Sequence, residues 1–369
     1  MTLTPTILRS RRIVALAALG LGLVACSDGA GGEQAALPAE AAEKLSGQAG
    51  TLVAEGASSQ QKAMDIFGTA YAAAVDGATL SYTPSGSGAG QKQFIAGQVA
   101  FGGSDSPLKE EQLAAAAARC GGNEAWHLPM VIGPVAVAYN LPGVEQVTLT
   151  PAVIADIFSG KVTSWNDPAI ADLNAGATLP DTPINVIYRS EESGTSDNFQ
   201  KFLKAATKGA WETTGKAFPT ATGSGANGST GVVGQVQQIE GAITYVEAGF
   251  ATEAGLGVAA IDFGSGAVEL NPTTVGTALD NLTYSGEGHN LVVDSTKLFE
   301  MNQPGAYPLV LTTYEIVCSA GYDETTRNQV KDFLTVVLES QNEDLAAAGY
   351  IPVAGDYKAK LAAAVEAIG

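Results

Sequence analysis

One segment near the middle of the chain combines an arginine, hydroxyl residues and a glycine at a point where a helix is predicted to begin. It runs from Arg189 to Ser196 and reads Arg-Ser-Glu-Glu-Ser-Gly-Thr-Ser. A β-branched and aromatic run from Ile184 precedes it and a helical pattern follows it to Leu203. The N–H groups at a helix start carry partial positive charge, and Gly194 lets the backbone approach a ligand closely. The segment therefore predicts an anion site, with an ordinary Ser/Thr helix cap as the alternative.

Arg189 is the only positively charged residue of this segment. Its planar guanidinium matches two oxygens of a phosphate or a carboxylate. The whole chain has a formal net charge of −19, which argues against binding of nucleic acid, because that would require a basic face. Surface charge is screened beyond roughly 8 Å at physiological salt, so a recessed site with its own donors still holds an anion.

Three earlier strand-like segments end in loops of a similar kind. They present Ser58 and Ser59, then Ser87, and then the acidic Asp105. In an open α/β sheet ligands bind at the carboxyl ends of strands, so we expect these loops to meet the Arg189 loop in one site. The alternative for Asp105 is that it caps a helix predicted to start at Pro107.

The composition favours an α/β chain with two lobes. With 369 residues, 46% of them hydrophobic, the chain can bury two sizeable cores, and strand-like and helix-like segments alternate. Two long apolar runs, Val131–Tyr139 and Tyr307–Val317, are predicted as buried strands near the crossings between the lobes. From Asp323 onward the chain is predicted to be helical and to pack on the first lobe.

The first residues are typical of a secretory signal with a lipobox. A basic stretch up to Arg12 and an apolar stretch from Ile13 lead to Leu-Val-Ala-Cys at Cys26. We expect residues 1–25 to be a signal peptide and Cys26 to carry the lipid, because the apolar run is short for a membrane span. Residues 26–49 are rich in Gly, Ala and Glu, which predicts a disordered tether.

Two cysteines remain once Cys26 is set aside. They are Cys120 and Cys318, and an exported protein meets an oxidising environment. A disulfide between them is therefore possible.

Taken together, five ordered motifs resemble those of the phosphate-binding proteins that serve phosphate-specific ABC transporters, over the chain from about Gly50 to its end. The motifs are Gly56-Ala-Ser-Ser59, Ser85-Gly-Ser-Gly88, Phe101-Gly-Gly-Ser-Asp-Ser-Pro-Leu108, Arg189-Ser-Glu-Glu-Ser-Gly-Thr-Ser196 and Gly241-Ala-Ile-Thr-Tyr-Val-Glu247. The resemblance implies a set of phosphate ligands, which are Ser58, Ser59, Ser87, Asp105, Arg189, Ser193, Gly194 and Thr195. Ser58, Ser87, Ser193 and Thr195 would donate hydroxyls, and Ser58, Ser59, Gly194 and Thr195 would donate N–H groups. Asp105 would accept the hydrogen of a protonated phosphate, and Glu191 would support the arginine where the family usually has Asp.

The resemblance also implies a two-lobed, type II fold like that of the periplasmic binding proteins, closing over its ligand by a hinge. Lobe I would comprise residues 50–137 and 306–369, and lobe II residues 138–305. The protein would be an extracytoplasmic, membrane-anchored monomer without a cofactor, delivering phosphate to permease subunits that work with an ATPase. The closest alternative is another oxyanion such as sulfate or molybdate, and only Asp105 separates these ligands.

Enzymatic and cofactor-dependent functions are less well supported by the sequence. Ser59-Gln-Gln-Lys62 and Ser196-Asp-Asn198 fit two signatures of penicillin-recognising acyl enzymes, but the third, Lys-Thr-Gly, is absent. Gly223–Gly228 fits the dinucleotide glycine pattern, with Glu247 near the distance of a ribose contact, yet a flexible loop fits better. The chain has 2 histidines and no cysteine pair with zinc spacing, so no metal site is expected.

Overall fold

The fold is α/β, as predicted, in a computed structural model that describes residues 37–219, 221–280 and 282–369. The described strands are β1 (Gly50–Gly56), β2 (Ala78–Thr83), β3 (Phe101–Ser104), β4 (Ala125–Tyr139), β5 (Thr148–Leu149), β6 (Asn185–Arg189), β7 (Ser224–Ala226), β8 (Ala242–Glu247), β9 (Gly257–Val258), β10 (Ala260–Asp262), β11 (Ala267–Val268) and β12 (Val310–Cys318).

Helices separate most of these strands, which places helical layers against the sheets. The described α-helices are α1 (Ala39–Ala42), α2 (Gln61–Ala74), α3 (Ser87–Ile95), α4 (Glu110–Arg119), α5 (Pro151–Phe158), α6 (Pro168–Ala171), α7 (Gly194–Ala206), α8 (Gly228–Gln238), α9 (Ala248–Glu253), α10 (Pro272–Leu279), α11 (Ser295–Phe299), α12 (Glu324–Glu339), α13 (Glu343–Ala347) and α14 (Gly355–Glu366). A 3₁₀ turn, Ser58–Gln60, leads from β1 into α2. Within the described ranges, no helix is both long and apolar enough to cross a membrane.

Nine of the described strands form one large sheet in the order β2-β1-β3-β12-β4-β8-β6-β7, with β9 also paired to β4, and the other three form a small sheet in the order β11-β10-β5. β4 connects its two halves: residues Ala125–Pro134 pair with β12, and residues Val135–Tyr139 pair with β8. β1 is parallel to β2 and β3, while β6 is parallel to β7 and β8. The carboxyl ends of β1 and β3 therefore share one edge, and those of β6, β7 and β8 share another.

β4 lies where the predicted lobes would meet. Its side chains are buried along almost the whole strand, because β12 pairs with its first part, β8 pairs with its last part, and α4, α9 and α14 lie against it. This explains why the sequence of β4 lacks the alternation of a surface strand. The lobe boundaries themselves, 50–137 with 306–369 and 138–305, stay a prediction.

The long helix α12, which α13 and α14 follow, packs on the sheet half that contains β1 and β3. The ring of Phe333 stacks on Phe101 of β3 at 5.3 Å and meets Tyr71 of α2 edge-on at 5.5 Å. The predicted apolar stripe of α12, to which Phe333 belongs, is fully buried. The helix therefore packs on elements that the sequence assigned to the first lobe, and that assignment itself stays a prediction.

The prediction of a disordered tether is wrong for residues 37–49. This part contains α1, and Ser46 donates both its N–H and its hydroxyl to the buried carboxylate of Asp332 at 2.7 Å each. These bonds satisfy a carboxylate of α12, so the segment is fixed to the folded body. Cys26, the signal peptide 1–25 and the remainder of the tether lie outside the described residues.

Two local predictions also differ from the structure. The helix after Asp105 begins at Glu110 rather than at Pro107, because Leu108 donates its N–H to the ring of His127 at 2.9 Å. Lys109 is the residue before its first turn, so the interpretation of Asp105 as a helix cap is wrong. The segment 223–228, interpreted as a flexible loop, contains the short strand β7.

Cys120 and Cys318 form a disulfide bond in this structure. Their Cα atoms are 5.3 Å apart, and both side chains are fully buried beside β12. The bridge joins residues 198 positions apart, which corresponds to about 5 kcal/mol of stabilisation if loop-closure entropy alone is counted. It ties the end of α4 to β12, the strand that pairs with β3, and the Asp105 loop connects β3 to α4.

Candidate functional site

The four predicted loops meet at one place. Three of them lead directly into a helical turn: Ser58 opens the 3₁₀ turn, Ser87 is the first residue of α3, and Ser193 caps α7. The first N–H groups of a helix have no acceptor within that helix, so these turns direct donors and partial positive charge to a common point. The start of α8, next to Ser229, joins them, and the sequence interpretation did not include it.

Arg189 lies at the carboxyl end of β6, with its side chain only 1% exposed. Its Nε donates to Glu191 Oε1 at 2.6 Å, and Nη2 also bonds that oxygen. Nη2 donates to the hydroxyl of Ser58 at 2.6 Å, which links the two halves of the sheet. Nη1 donates to Thr195 Oγ1 at 3.2 Å and to Ser229 Oγ at 3.3 Å. The guanidinium is therefore held in one plane by partners on all its nitrogens.

Glu191 binds the arginine as the resemblance implied, and its longer side chain has a second contact. Its Oε2 accepts the N–H of Gly228 at 3.2 Å, at the start of α8. The glutamate thus connects Arg189 to another helix N-terminus. Gly86 explains why the glutamate has room: a Cβ on Gly86 would lie 2.9 Å from Glu191 Cγ, and its φ of 102° also favours glycine.

Asp105 is buried among hydroxyl donors on the opposite side of the site. Its Oδ1 accepts from Ser59 Oγ at 2.6 Å and from Thr313 Oγ1 at 2.7 Å, and its Oδ2 accepts from Ser87 Oγ at 3.3 Å. A carboxylate offers about four acceptor positions, so one position on Oδ2 is left by these bonds. Burial, opposed by the hydrogen bond from Ser59 and supported by the nearby charge of Glu247, raises the pKa of this carboxyl to about 6.

The start of α7 approaches Asp105 very closely. A Cβ added to Gly194 would lie 2.4 Å from Ser87 Oγ and 2.7 Å from Asp105 Oδ2, so only glycine fits there. The N–H of Gly194 donates to Ser87 Oγ at 3.2 Å, and Asn198 of α7 donates to the backbone oxygen of Asp105 at 2.7 Å. The structure thus brings the Ser87, Asp105 and Gly194 loops into direct contact.

The hydroxyls of the α7 loop are oriented by further contacts. Ser193 Oγ accepts the N–H of Ser196 at 3.2 Å, which is the ordinary cap geometry, and leaves its hydrogen available. Thr195 Oγ1 donates its hydrogen to Glu247 at 2.7 Å instead of facing an anion as a donor. In this arrangement Thr195 offers an anion its N–H but not its hydroxyl hydrogen.

Ser229 and Glu247 belong to the same network, although the sequence interpretation gave neither a role at an anion site. Ser229 donates its N–H to Ser58 Oγ at 3.1 Å and its hydroxyl to Glu247 Oε2 at 2.6 Å. Glu247 ends β8, on the same sheet edge as Arg189 at the end of β6. The rule that singled out Asp105, a polar residue at the carboxyl end of a strand, would have found Glu247 as well.

The geometry does not support an acyl enzyme. Lys62 donates to the backbone oxygen of Gly249 at 2.9 Å and pairs with Glu253, whereas Ser59 donates to Asp105. Because Lys62 is occupied elsewhere, it is not placed to take a proton from Ser59. Among the described residues, no cluster of His, Cys, Asp and Glu has the make-up of a metal site.

A groove of about 1200 Å³ lies along the C-terminal part of α7 and is lined by Lys201, Lys204 and Lys208 among others. None of the site residues described above lines it. We assign the site to the buried network because donors, a guanidinium and an acceptor converge there, which size alone does not provide.

The raised pKa of Asp105 predicts a pH-dependent stability without any ligand. Between about pH 4 and pH 6 the folded protein holds a proton on Asp105 that the unfolded chain releases, so the free energy of unfolding falls as pH rises. The stabilisation is complete below the ordinary pKa of 3.8 and is lost above about 6, a change of about 3 kcal/mol.

Urea unfolding of the phosphate-free protein and of an Asp105→Asn variant, at several pH values, measures this change. The stability of the unaltered protein relative to the variant should decline by about 3 kcal/mol between about pH 3 and pH 7. Parallel stability curves for the two proteins would contradict the prediction, because they would mean that Asp105 titrates alike in the folded and unfolded states.

Comparisons with known proteins agree with this architecture. A family model described as a PBP superfamily domain matches residues 41–341. The phosphate-binding protein PstS 3 of Mycobacterium tuberculosis is 42% identical over 358 residues, 96% of this chain and 96% of that protein. The protein of the same name from Mycobacterium leprae is 42% identical over 321 residues, 86% of this chain and 87% of that protein.

A solved structure has the same fold. It is a high affinity periplasmic phosphate-binding protein bound with phosphate, and its TM-score is 0.69 at 24% sequence identity. The match covers 85% of this chain and 93% of that one. The predicted two-lobed α/β fold of periplasmic binding proteins is thereby confirmed.

Proposed function

This chain belongs to the PBP superfamily, among its phosphate-binding proteins, and we propose that it binds inorganic phosphate outside the cytoplasm for a phosphate ABC transporter. The observation that carries the proposal is the single remaining acceptor position on Asp105, whose other positions are taken by hydroxyls of its own half of the sheet and against which the start of α7 packs from the other half. Hydrogen phosphate is an anion that also carries a hydrogen. Its oxygens therefore accept from the donors, and its hydrogen bonds the free acceptor position of Asp105.

We propose that phosphate binds between Arg189 and Asp105. Its ligands would be the residues named from the sequence: Ser58, Ser59, Ser87, Asp105, Arg189, Ser193, Gly194 and Thr195. The backbone N–H groups at the starts of the 3₁₀ turn and α7 provide neutral donors, and Arg189 provides the full charge. Thr195 takes part through its N–H, because its hydroxyl hydrogen is directed at Glu247.

Binding must rearrange the bonds of Arg189. A guanidinium has five N–H groups, and the contacts to Glu191, Ser58, Thr195 and Ser229 engage Nε, Nη1 and Nη2. A phosphate oxygen therefore replaces one or more of the hydroxyl acceptors, and Ser58 is the candidate with the shortest of these hydroxyl bonds. Once replaced, the Ser58 hydroxyl donates to the same anion.

The contacts between the two halves of the sheet suit a hinge that closes on the ligand. Ser106 Oγ donates to Asp197 of α7 at 2.6 Å, Lys216 donates to Gln91 of α3 at 2.8 Å, and Lys92 pairs with Glu192. These pairs surround the site and stabilise one relative position of the lobes. The protein then acts by binding and release rather than by catalysis.

The partner of the loaded protein would be the permease subunits of the transporter, acting with their ATPase. The lipobox at Cys26 supports attachment of the protein to the outer face of the cell membrane as a lipoprotein, and a monomer suffices because the site is built from one chain. A membrane-bound position keeps the carrier close to its permease.

Titration calorimetry of the soluble body, residues 37–369, with phosphate, sulfate and molybdate tests the proposed function. Phosphate should bind tightly, and the other two oxyanions should bind much more weakly, because neither has a hydrogen for Asp105 near neutral pH. Tighter binding of sulfate or molybdate than of phosphate would favour the alternative of another oxyanion carrier. An absence of heat with all three anions would contradict both.

A further inference from the structure

The buried carboxylate of Glu247 has a specific relation to Arg189 although the two groups share no direct hydrogen bond here. Glu247 is 1% exposed and accepts two hydroxyl hydrogens, from Thr195 at 2.7 Å and from Ser229 at 2.6 Å. Both of these hydroxyl oxygens also accept from Arg189 Nη1, at 3.2 and 3.3 Å. The two hydroxyls therefore lie between the carboxylate and the guanidinium.

The direction of these bonds follows from hydrogen counting. A hydroxyl has one hydrogen and two lone pairs, and a guanidinium only donates. Since Thr195 and Ser229 give their hydrogens to Glu247, their lone pairs face Nη1. With another partner in place of Glu247, either hydroxyl could turn its hydrogen toward Nη1, where it would repel the N–H groups.

We propose that Glu247 is a positioning residue for Arg189, which fixes the guanidinium plane through the hydroxyls of Thr195 and Ser229. Glu191 holds one edge of the guanidinium directly, and the Glu247 pair holds the other. This inference rests on the proposed phosphate site and assigns Ser229 and Glu247 to it. The positioning role also explains why the negatively charged Glu247 lies next to a site for an anion.

For the Glu247→Gln substitution, charge alone and the positioning role of Glu247 predict opposite effects on phosphate affinity. Glu247→Gln removes a buried negative charge near the anion, and Coulomb attraction alone would then make phosphate bind more tightly. The amide nitrogen of glutamine, however, donates to one of the two hydroxyls and turns its hydrogen toward Arg189. Positioning therefore predicts weaker binding, by about tenfold, which is the effect of losing one charge-assisted hydrogen bond.

Calorimetry of phosphate with Glu247→Gln, Arg189→Lys and the double variant tests the proposal. Glu247→Gln alone should raise Kd by about tenfold, whereas on the Arg189→Lys background it should change Kd by less than about twofold. The dependence on Arg189 separates positioning from a general structural role, which would weaken binding on both backgrounds. Asp332→Asn is the matched control and should leave Kd unchanged, because Asp332 is also a buried carboxylate but bonds Ser46 and none of the site residues.

Ser229 provides a second test that does not depend on the folding of the Glu247 variant. Ser229→Ala removes one acceptor of Nη1 and should weaken phosphate binding about threefold or more, and Ser229→Thr, which keeps the hydroxyl, should recover most of this loss. Unchanged or tighter binding by folded Glu247→Gln, or by Ser229→Ala, overturns the inference while the phosphate site stands. Failure of the unaltered protein to bind phosphate overturns the proposed function itself.

Discussion

Arg189→Ala should weaken phosphate binding by about two to three and a half decades in Kd, the largest loss expected from one substitution in this site. Removing one partner of a buried ion pair costs roughly 3–5 kcal/mol, and the Arg189 side chain is only 1% exposed. Without the guanidinium, the anion would also meet the carboxylates of Glu191 and Glu247 with no positive charge between them. The loss therefore combines missing attraction with uncompensated repulsion.

Calorimetry at constant ionic strength measures this loss, with thermal melting to show that the variant is folded. Arg189→Lys keeps the charge but not the planar fork, so its Kd should lie between those of the unaltered protein and the alanine variant. Lys161→Ala, which removes an exposed cation paired with Asp156, is the control and should have no effect. A folded Arg189→Ala variant whose Kd is within about threefold of the unaltered value would place the ligand elsewhere.

Asp105→Asn should narrow the preference for phosphate over sulfate. A site built to bond a ligand hydroxyl rejects an analogue without it by roughly 10⁴ or more, and the remaining acceptor position on Asp105 Oδ2 is the group that makes this distinction. An asparagine can turn its N–H₂ toward a sulfate oxygen, so repulsion becomes attraction. Sulfate binding should therefore strengthen while phosphate binding weakens.

The selectivity experiment compares phosphate and sulfate by calorimetry at about pH 8, well above the pKa of Asp105 of about 6, where the carboxylate is ionised. A ratio of the two Kd values that is the same in Asp105→Asn and in the unaltered protein would remove the main physical support for phosphate. The helix-cap alternative is no longer available to explain such a result, because α4 begins at Glu110.

Local sequence patterns were sufficient for the parts of the site that follow strands directly. Arg189, Asp105 and the serines at the starts of the 3₁₀ turn and α3 were predicted because strand, small polar turn and helix occur in sequence there. The pattern does not state which atom each hydroxyl faces. That depends on packing between distant segments, as in the contact of Gly194 with Ser87, 107 residues apart.

The sequence interpretation missed Glu247 and Ser229, again because their contacts depend on distant segments. Glu247 ends a strand that was predicted, but its partners come from α7 and α8, 52 and 18 residues earlier in the chain. Ser229 follows β7, which is only three residues long and too short to give a strand pattern. The start of α8 was therefore interpreted as loop, and its donors were missed.

Tertiary contacts also explain why two usually reliable sequence patterns, a proline at a helix start and a Gly- and Ala-rich tether, gave wrong predictions. Proline favours the first turn of a helix, yet Pro107 lies before α4 because Ser106 and Leu108 bond Asp197 and His127 instead of forming a turn. The Gly- and Ala-rich segment before β1 is typical of a tether, but Ser46 is held by Asp332. In both cases tertiary hydrogen bonds outweigh local preference.

A crystal structure of the protein grown with phosphate tests the central claim most directly. The account predicts one phosphate between the two halves of the sheet, with its oxygens about 2.7–3.2 Å from Arg189 and the N–H groups of Ser59 and Gly194, and closer still to Asp105 Oδ2. In that structure Ser58 should have left Arg189 Nη2 for the anion. A phosphate bound elsewhere, or one that touches neither Arg189 nor Asp105, would contradict it.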